Sequence, residues 1–233
     1  MGRVVPGSHQ RSLRALSHAL SSAARPDRLR LRTRSGDALT EFYTGILDLR
    51  SSDDRGPVIH LTAGSGSGSP NLSIRLEESP DAPLPISPSL GLYHFALLYP
   101  DRRSLGAAVG RVLDEGWYRI DGAADHGVSE AFYLRDPEGN GVELYRDRPR
   151  EAWPREGDEV AMFTRPLDVE ELVEAAGARR DPEPPTLGHL HLHVEDLETS
   201  GSFYTGVLGL GVRQSSYPGA LFLAAGAYHH HLG

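Results

Sequence analysis

The chain contains no cysteine. That absence removes disulfides, thiolate nucleophiles and Cys-ligated zinc or iron–sulfur sites together. It fits a reducing compartment, and a cytoplasmic location is expected. Long apolar runs are also missing: no stretch approaches the roughly 20 residues of a membrane span. No uninterrupted apolar segment of the secretory type occurs near the start. An excess of positive charge is lacking too, since 24 Lys+Arg stand against 32 Asp+Glu for a net charge of −8. This argues against a nucleic-acid partner. What remains, 39% apolar and 24% charged over 233 residues, is ordinary for a globular protein of one large domain or two small ones.

Residues 1–26 carry arginine, serine and alanine but no Asp or Glu. The bias is that of a transit peptide, and the segment reads as a disordered leader. Beyond it a repeat emerges. Phe42-Tyr43-Thr44-Gly45-Ile46-Leu47-Asp48-Leu49 returns as Phe203-Tyr204-Thr205-Gly206-Val207-Leu208-Gly209-Leu210, identical at six of eight positions. Each copy follows a short strand and a helix-start signal: Asp37 in the first, Asp196 or Glu198 in the second. Phe42, Ile46 and Leu47, and then Phe203, Val207 and Leu208, form apolar stripes at helical spacing. Tyr43 and Tyr204 read as helix-packing residues.

A less obvious relative lies between them. His94 to Leu98 reads as a strand, and Leu105, Ala108, Val109, Val112 and Leu113 have helical spacing with Gly116 as the stop. Ser129–Arg135 and Gly141–Tyr145 read as further strands. The organisation expected is a leader (1–26), three strand–helix–strand–strand–strand units (27–89, 90–147 and 187–233) and a polar, Pro-rich connector (148–186) with a short helix from Val169 to Ala176. Gly64 to Pro70 reads as a mobile loop. Such a unit is a curled half-sheet with one helix behind it, so units must pair to cover an apolar concave face.

Histidine placement carries the chemical signal. Gly188-His189-Leu190-His191-Leu192-His193-Val194 alternates with the period of a strand, so its three imidazoles share one face. Leu92-Tyr93-His94-Phe95-Ala96-Leu97-Leu98 is a second histidine-bearing strand. Asp136-Pro137-Glu138-Gly139-Asn140 is a hairpin turn leading into Gly141-Val142-Glu143-Leu144-Tyr145, a strand with one inward carboxylate. Two histidines and one carboxylate from separate strands are what a non-haem Fe(II) site needs. His60 and His9 read as ordinary surface or loop residues.

These segments, with Asp125-His126-Gly127-Val128-Ser129-Glu130-Ala131-Phe132-Tyr133-Leu134 and Tyr228-His229-His230-His231-Leu232-Gly233, resemble the vicinal-oxygen-chelate superfamily. That superfamily includes glyoxalase I, bleomycin-resistance proteins and type I extradiol dioxygenases. The nearest likeness is to ring-cleaving proteins of the catechol-2,3-dioxygenase kind, over about residues 27–233. The resemblance implies an α+β fold of repeated βαβββ modules forming curled mixed sheets. In that superfamily a ligand sits at the start of a module's first strand, fourteen positions before the helix Phe. His189 holds that place before Phe203, while Arg28, which cannot ligate a metal, holds it before Phe42. The resemblance nominates His94, Glu143 and His189 as ligands of Fe(II), with Mn(II) or another divalent ion as the alternative. It nominates His230 as acid–base residue and His126 and Tyr133 as further catalytic residues. His191 and His193 become supporting residues. The implied partners are a small aromatic substrate of catechol or hydroquinone type and O2.

The nominated ligands converge only if the second unit pairs with the third. The similar proteins continue past Gly233 with a fourth module. The first unit is therefore expected to expose an apolar face and to meet its equivalent in a homodimer. Two other functions fit the same fold: a metal-dependent lyase or isomerase of glyoxalase type, and a non-catalytic small-molecule binder.

Overall fold

The computed structural model describes residues 19–52, 58–64, 71–83, 89–178 and 182–233. The first unit comprises β1 (Arg28–Thr33), α1 (Gly36–Glu41) continuing as a π-helical turn (Phe42–Ile46), β2 (Arg50–Ser51), β3 (Val58–Ala63) and β4 (Leu72–Glu78). The second comprises β5 (Gly91–Tyr99), α2 (Arg102–Asp114), β6 (Ile120–Asp125), β7 (Ser129–Arg135) and β8 (Gly141–Asp147). After it come β9 (Arg155–Glu156), β10 (Glu159–Val160), β11 (Arg165–Pro166) and α3 (Val169–Glu174). The third unit has β12 (Thr186–His193), α4 (Leu197–Gly206), β13 (Gly211–Gln214) and β14 (Phe222–Ala224). Its final strand is reduced to bridges at Leu232, parallel to Leu190 and antiparallel to Leu223.

The first unit forms its own sheet in the order β1-β4-β3-β2, with β1 and β4 parallel. The second is the same arrangement, with β5 parallel to β8. The free edge of β5 takes β12 antiparallel, giving the order β11-β6-β7-β8-β5-β12. Leu232 then links β12 to β14. The second and third units thus share one sheet, joined through their first strands. No helix among the described residues is long and apolar enough to cross a membrane.

Local chemistry accounts for most boundaries. Asp101, Asp168 and Asp196 cap α2, α3 and α4 by accepting from the backbone N–H three residues on. In α1 that role falls to Ser35, which accepts from Ala38 N, and Asp37 lies inside the first turn. Gly116 follows α2 at φ 69°, a left-handed position that suits glycine.

The first unit docks on the second through the hairpin turn. Phe42 packs on Trp117 with ring centroids 4.7 Å apart. Glu138 Oε1 accepts from Thr33 Oγ1 (2.7 Å), Arg34 N (2.8 Å) and Ser35 N (3.0 Å). Tyr43 donates to Asp136 Oδ2 at 2.9 Å, and both side chains are buried. Burial pushes the Asp136 carboxyl up from its usual range, with the bonds from Asn140 and Tyr43 opposing the shift. Tyr43→Phe removes one donor from this buried acid and is expected to cost about 1–3 kcal/mol. Urea unfolding reads this directly, and a loss below about 0.5 kcal/mol would mean that the contact carries no stability.

Four expectations need correction. Among the described residues, the first unit leaves no apolar sheet face open. β1 alternates, so Leu29, Leu31 and Thr33 are buried while Arg28, Arg30 and Arg32 point outward. Arg30 lies in register with Arg75, and Arg75 with His60. Glu77 pairs with Arg30 and Arg75 on this face, so its described residues are polar and do not supply the apolar surface on which the expected homodimer contact was based.

Secondly, the α4 stripe does not reach a core. Phe203 is 49% exposed and Val207 70%, against 2% for Phe42. Phe42 has Trp117 to pack on, and no described residue covers Phe203 in that way. Thirdly, residues 19–26 are tied down: Leu20 N donates to Gly209 O at 2.9 Å, and Ser22 packs against Gly226. The earlier leader residues and His9 lie outside the described residues, as do residues 65–70 of the expected mobile loop.

Finally, 148–186 is more than a connector. β11 extends the sheet beside β6, α3 packs on α2, and the stretch between β10 and β11 reaches the cavity described next.

Candidate metal centre

The site is two adjacent rows of residues on one face of the shared sheet. Register places Tyr133 opposite Glu143, Glu143 opposite Ala96, and Ala96 opposite His189, a row across β7, β8, β5 and β12. The neighbouring row runs Arg135, Gly141, His94, His191. Residues of one parity share a face, so this register alone brings His94, Glu143, His189, His191 and Tyr133 together. The two small residues in the rows matter as much as the large ones. A Cβ added to Gly141 would strike the Tyr93 carbonyl oxygen and come within 2.7 Å of His94 Cβ.

Glu143 Oε2 lies 2.9 Å from His94 Nε2 and 2.9 Å from His189 Nε2. Two donors each about 2.1 Å from one ion, at right angles, are separated by about 3.0 Å, so the spacing suits adjacent ligands of a divalent metal. His94 Nε2 is buried and, despite its short approach to the carboxylate, makes no hydrogen bond of acceptable geometry. A buried lone pair with nowhere to go fits a metal ligand. Nitrogens of His94, His189 and His191 also fall within 4.8 Å of one another. His191 Nε2, however, is engaged with His230 Nε2 at 2.9 Å, which leaves Glu143 as the better third ligand.

Electrostatics favour the ligating forms. Burial opposes ionisation of Glu143, but His189 and His94 hold its carboxyl well below the usual range. Burial outweighs Glu143 at His189 and lowers that imidazole. Burial, followed by the neighbouring imidazoles, pushes His191 and His230 well below the ordinary histidine value. The carboxylate form of Glu143 and the neutral form that burial favours at His189 are the ones that bind metal.

The cluster floors a cavity of about 470 Å³. Phe163, Thr164 and Met162 from the segment before β11, and Tyr217 and Phe222 from the third unit, complete its wall. His126 Nδ1 donates to the Phe163 carbonyl at 2.8 Å, which leaves Nε2 to accept from the Tyr133 hydroxyl at 2.7 Å. Burial, then the Glu143 charge, raises the Tyr133 pKa well above that of a free phenol. Gly188 is required behind the site, because any side chain there would collide with Tyr145.

Every nominated residue, His94, Glu143, His189, His126, Tyr133 and His230, therefore lines this cavity. His193 does not: it is exposed and stacks on Tyr93 with centroids 4.4 Å apart. A bulge after His191 shifts the register there. Sequence reasoning missed the wall residues at 162–164. The only signal was the apolar run Val160-Ala161-Met162-Phe163 inside a polar segment. It also gave no role to Asp147 or His229.

The description "Glyoxalase/Bleomycin resistance protein/Dioxygenase superfamily" matches residues 25–144. A protein named catechol-2,3-dioxygenase from Bacillus subtilis (strain 168) is 44% identical over 212 residues, 88% of this chain and 72% of that protein. The chain belongs to this superfamily. Among solved structures, one titled putative dioxygenase from Bacillus subtilis subsp. subtilis str. 168 matches with TM-score 0.55 and 14% identity, over 90% of this chain and 64% of that one. At that identity the likeness concerns the fold alone. Glyoxalase I from Zea mays gives TM-score 0.49 at 19% identity, over 89% of this chain and 63% of that one.

The site makes one local prediction for this superfamily member. Gly141→Ala should displace His94 and weaken divalent-metal affinity by about 10- to 100-fold, the range seen when support for a ligand is lost. Competition with a coloured chelator measures this, and unchanged affinity would detach Gly141 from the site.

Proposed function

We propose that the chain is an Fe(II)-dependent extradiol dioxygenase that opens the ring of a catechol- or hydroquinone-type aromatic. The observation that carries this reading is Glu143 Oε2 lying 2.9 Å from both His94 Nε2 and His189 Nε2 at the floor of a cavity. Fe(II) held there by His94, Glu143 and His189 would supply Lewis acidity toward the ring hydroxyls and the electrons that let O2 react. Mn(II) is the alternative ion, and metal analysis separates the two. The 44% identical protein named catechol-2,3-dioxygenase supports the same reaction class.

The chain's own residues have definable tasks. His230, neutral and buried, takes a proton from a ring hydroxyl and returns it as the ring opens. Tyr133 stays protonated, donates to His126, and keeps an oxygen lone pair to receive a substrate hydroxyl. Phe222, Met162 and Phe163 exclude water and pack on an aromatic ring. Both oxygens of O2 enter the ring-opened product, so no external reductant is required.

The cavity also limits substituents. Arg135, the guanidinium on its wall, donates to Asp121 at 2.6 Å and lies 5.7 Å from the Tyr93 ring centroid. An already paired cation has little attraction left for a substrate carboxylate. Uncharged catechols are therefore preferred, with kcat/KM at least about tenfold above that of a carboxylated analogue.

The test is anaerobic loading with Fe(II), then addition of catechol and O2. A yellow ring-opened product with one O2 consumed per ring is expected. Turnover of a hemithioacetal without O2 uptake would instead mark a glyoxalase-type enzyme. Failure to retain any divalent metal would leave a small-molecule binder.

A further inference from the structure

We infer that Asp147 and His229 are positioning residues that fix which nitrogen of His230 carries its hydrogen. An unbroken series of hydrogen bonds leads away from the cavity. His191 Nε2 and His230 Nε2 are 2.9 Å apart, and His230 Nδ1 and His229 Nδ1 are 2.7 Å apart. His229 Nε2 lies 2.8 Å from Asp147 Oδ1. Tyr228 donates to the same oxygen at 3.1 Å, and its hydroxyl lies 2.8 Å from that of Tyr145.

A neutral imidazole has one N–H and one lone pair, whereas an ionised carboxylate only accepts. Asp147 anchors the series because its side chain is 25% exposed while that of His229 is fully buried. With one hydrogen on each ring, a single assignment satisfies every contact. His229 carries its hydrogen on Nε2 and gives it to Asp147. His229 Nδ1 is then a lone pair, so His230 carries its hydrogen on Nδ1. His230 Nε2 then carries no hydrogen, and its lone pair accepts from His191 Nε2–H.

The direction of this result matters. His230 Nε2 lies on the His191 side of the ring, toward the cavity cluster, and in this tautomer it carries a lone pair that can serve as a base once a substrate hydroxyl replaces His191 Nε2–H as its donor. The opposite tautomer would place an N–H there and could not take a proton from a substrate hydroxyl. Asp147 and His229 touch neither substrate nor metal ligands through these bonds, so their effect passes through His230. Trp153 lies edge-on to His229 at 5.1 Å between centroids and holds the ring in place.

With each ring neutral, the tautomer follows from the hydrogen bonds; only its catalytic consequence rests on the dioxygenase reading. Long-range proton–nitrogen correlation on protein with isotopically labelled histidine, loaded with diamagnetic Zn(II) near neutral pH, reads each ring directly. His230 is expected as the Nδ1–H form in the parent and as a mixture in Asp147→Ala. Finding His230 as the Nε2–H form in the parent overturns the inference, and the parent spectrum decides this even if the variant fails to fold. The same tautomer in both proteins also overturns it.

With ring cleavage as readout, Asp147→Ala should lower kcat about 10- to 100-fold. KM should change by no more than about twofold. Asp147→Glu should recover part of the loss. If ring cleavage is absent altogether, the proposed reaction fails while the spectra still decide the tautomer.

Discussion

Glu143→Ala is expected to abolish stable metal binding while leaving the fold intact. Among the described residues, Glu143 is the carboxylate in contact with both His94 and His189, and it is buried with them. Without it, two imidazoles remain to hold a divalent ion. Loss of even a supporting residue costs about 10- to 100-fold in metal affinity, so loss of a ligand should exceed about 100-fold. Ring cleavage should fall to background. The metal-free variant should still fold but unfold somewhat earlier than the metal-free parent, because the fold holds the Glu143 charge favourably and its loss leaves His94 and His189 without their partner. Metal analysis after gel filtration, paired with thermal unfolding of both apo proteins, checks the two halves separately. Full metal retention would mean that His94, His189 and His191 hold the ion without the acid.

His230→Ala should give the complementary result. His230 contacts His191 and His229 through hydrogen bonds and packs on His189, but the proposed ligand set does not include it. The variant should keep its metal. Its kcat should drop by about 10²- to 10⁴-fold, the contribution of a positioned acid–base group. Single-turnover measurements distinguish a slowed chemical step from weakened substrate binding. A variant that retains more than about a tenth of the parent kcat removes His230 from proton transfer. Together the two variants separate holding the ion from moving the proton.

The difference between these residues was partly legible before any coordinates. Alternation in β12 put His189 and His191 on one face, and the hairpin turn before β8 fixed the parity of Glu143. The spacing of Tyr133 from Glu143, ten residues across a tight turn, becomes direct opposition in the β7–β8 register. The Asp196 cap of α4 was readable for the same reason, since it depends on a neighbour three residues away, whereas the Asp37 expected to cap α1 lies inside the first turn and Ser35 takes its place.

Other features were not legible because they depend on which surface meets which. The two Phe-Tyr-Thr-Gly copies are nearly the same sequence, yet Phe42 is buried and Phe203 is half exposed. Trp117 makes that difference, and it lies in another unit. The arginines of β1 were in plain view, but helical and strand periodicity does not say which face of a sheet will be covered. Met162, Phe163 and Thr164 enter the cavity because β11 joins the sheet edge through two residue pairs, too short a strand to announce itself.

The sequence by itself determined the repeated strand–helix–strand–strand–strand units, the absence of thiol chemistry, and the side of each strand on which its histidine or carboxylate would stand. These follow from local backbone periods and residue types. Only the tertiary structure decided that β5 and β12 lie side by side, that Ala96 and Gly141 leave room between the donors, and that Asp147 communicates with His230 through His229. Those outcomes depend on pairing between segments roughly fifty to a hundred residues apart, where register and close packing, not local preference, set the contacts.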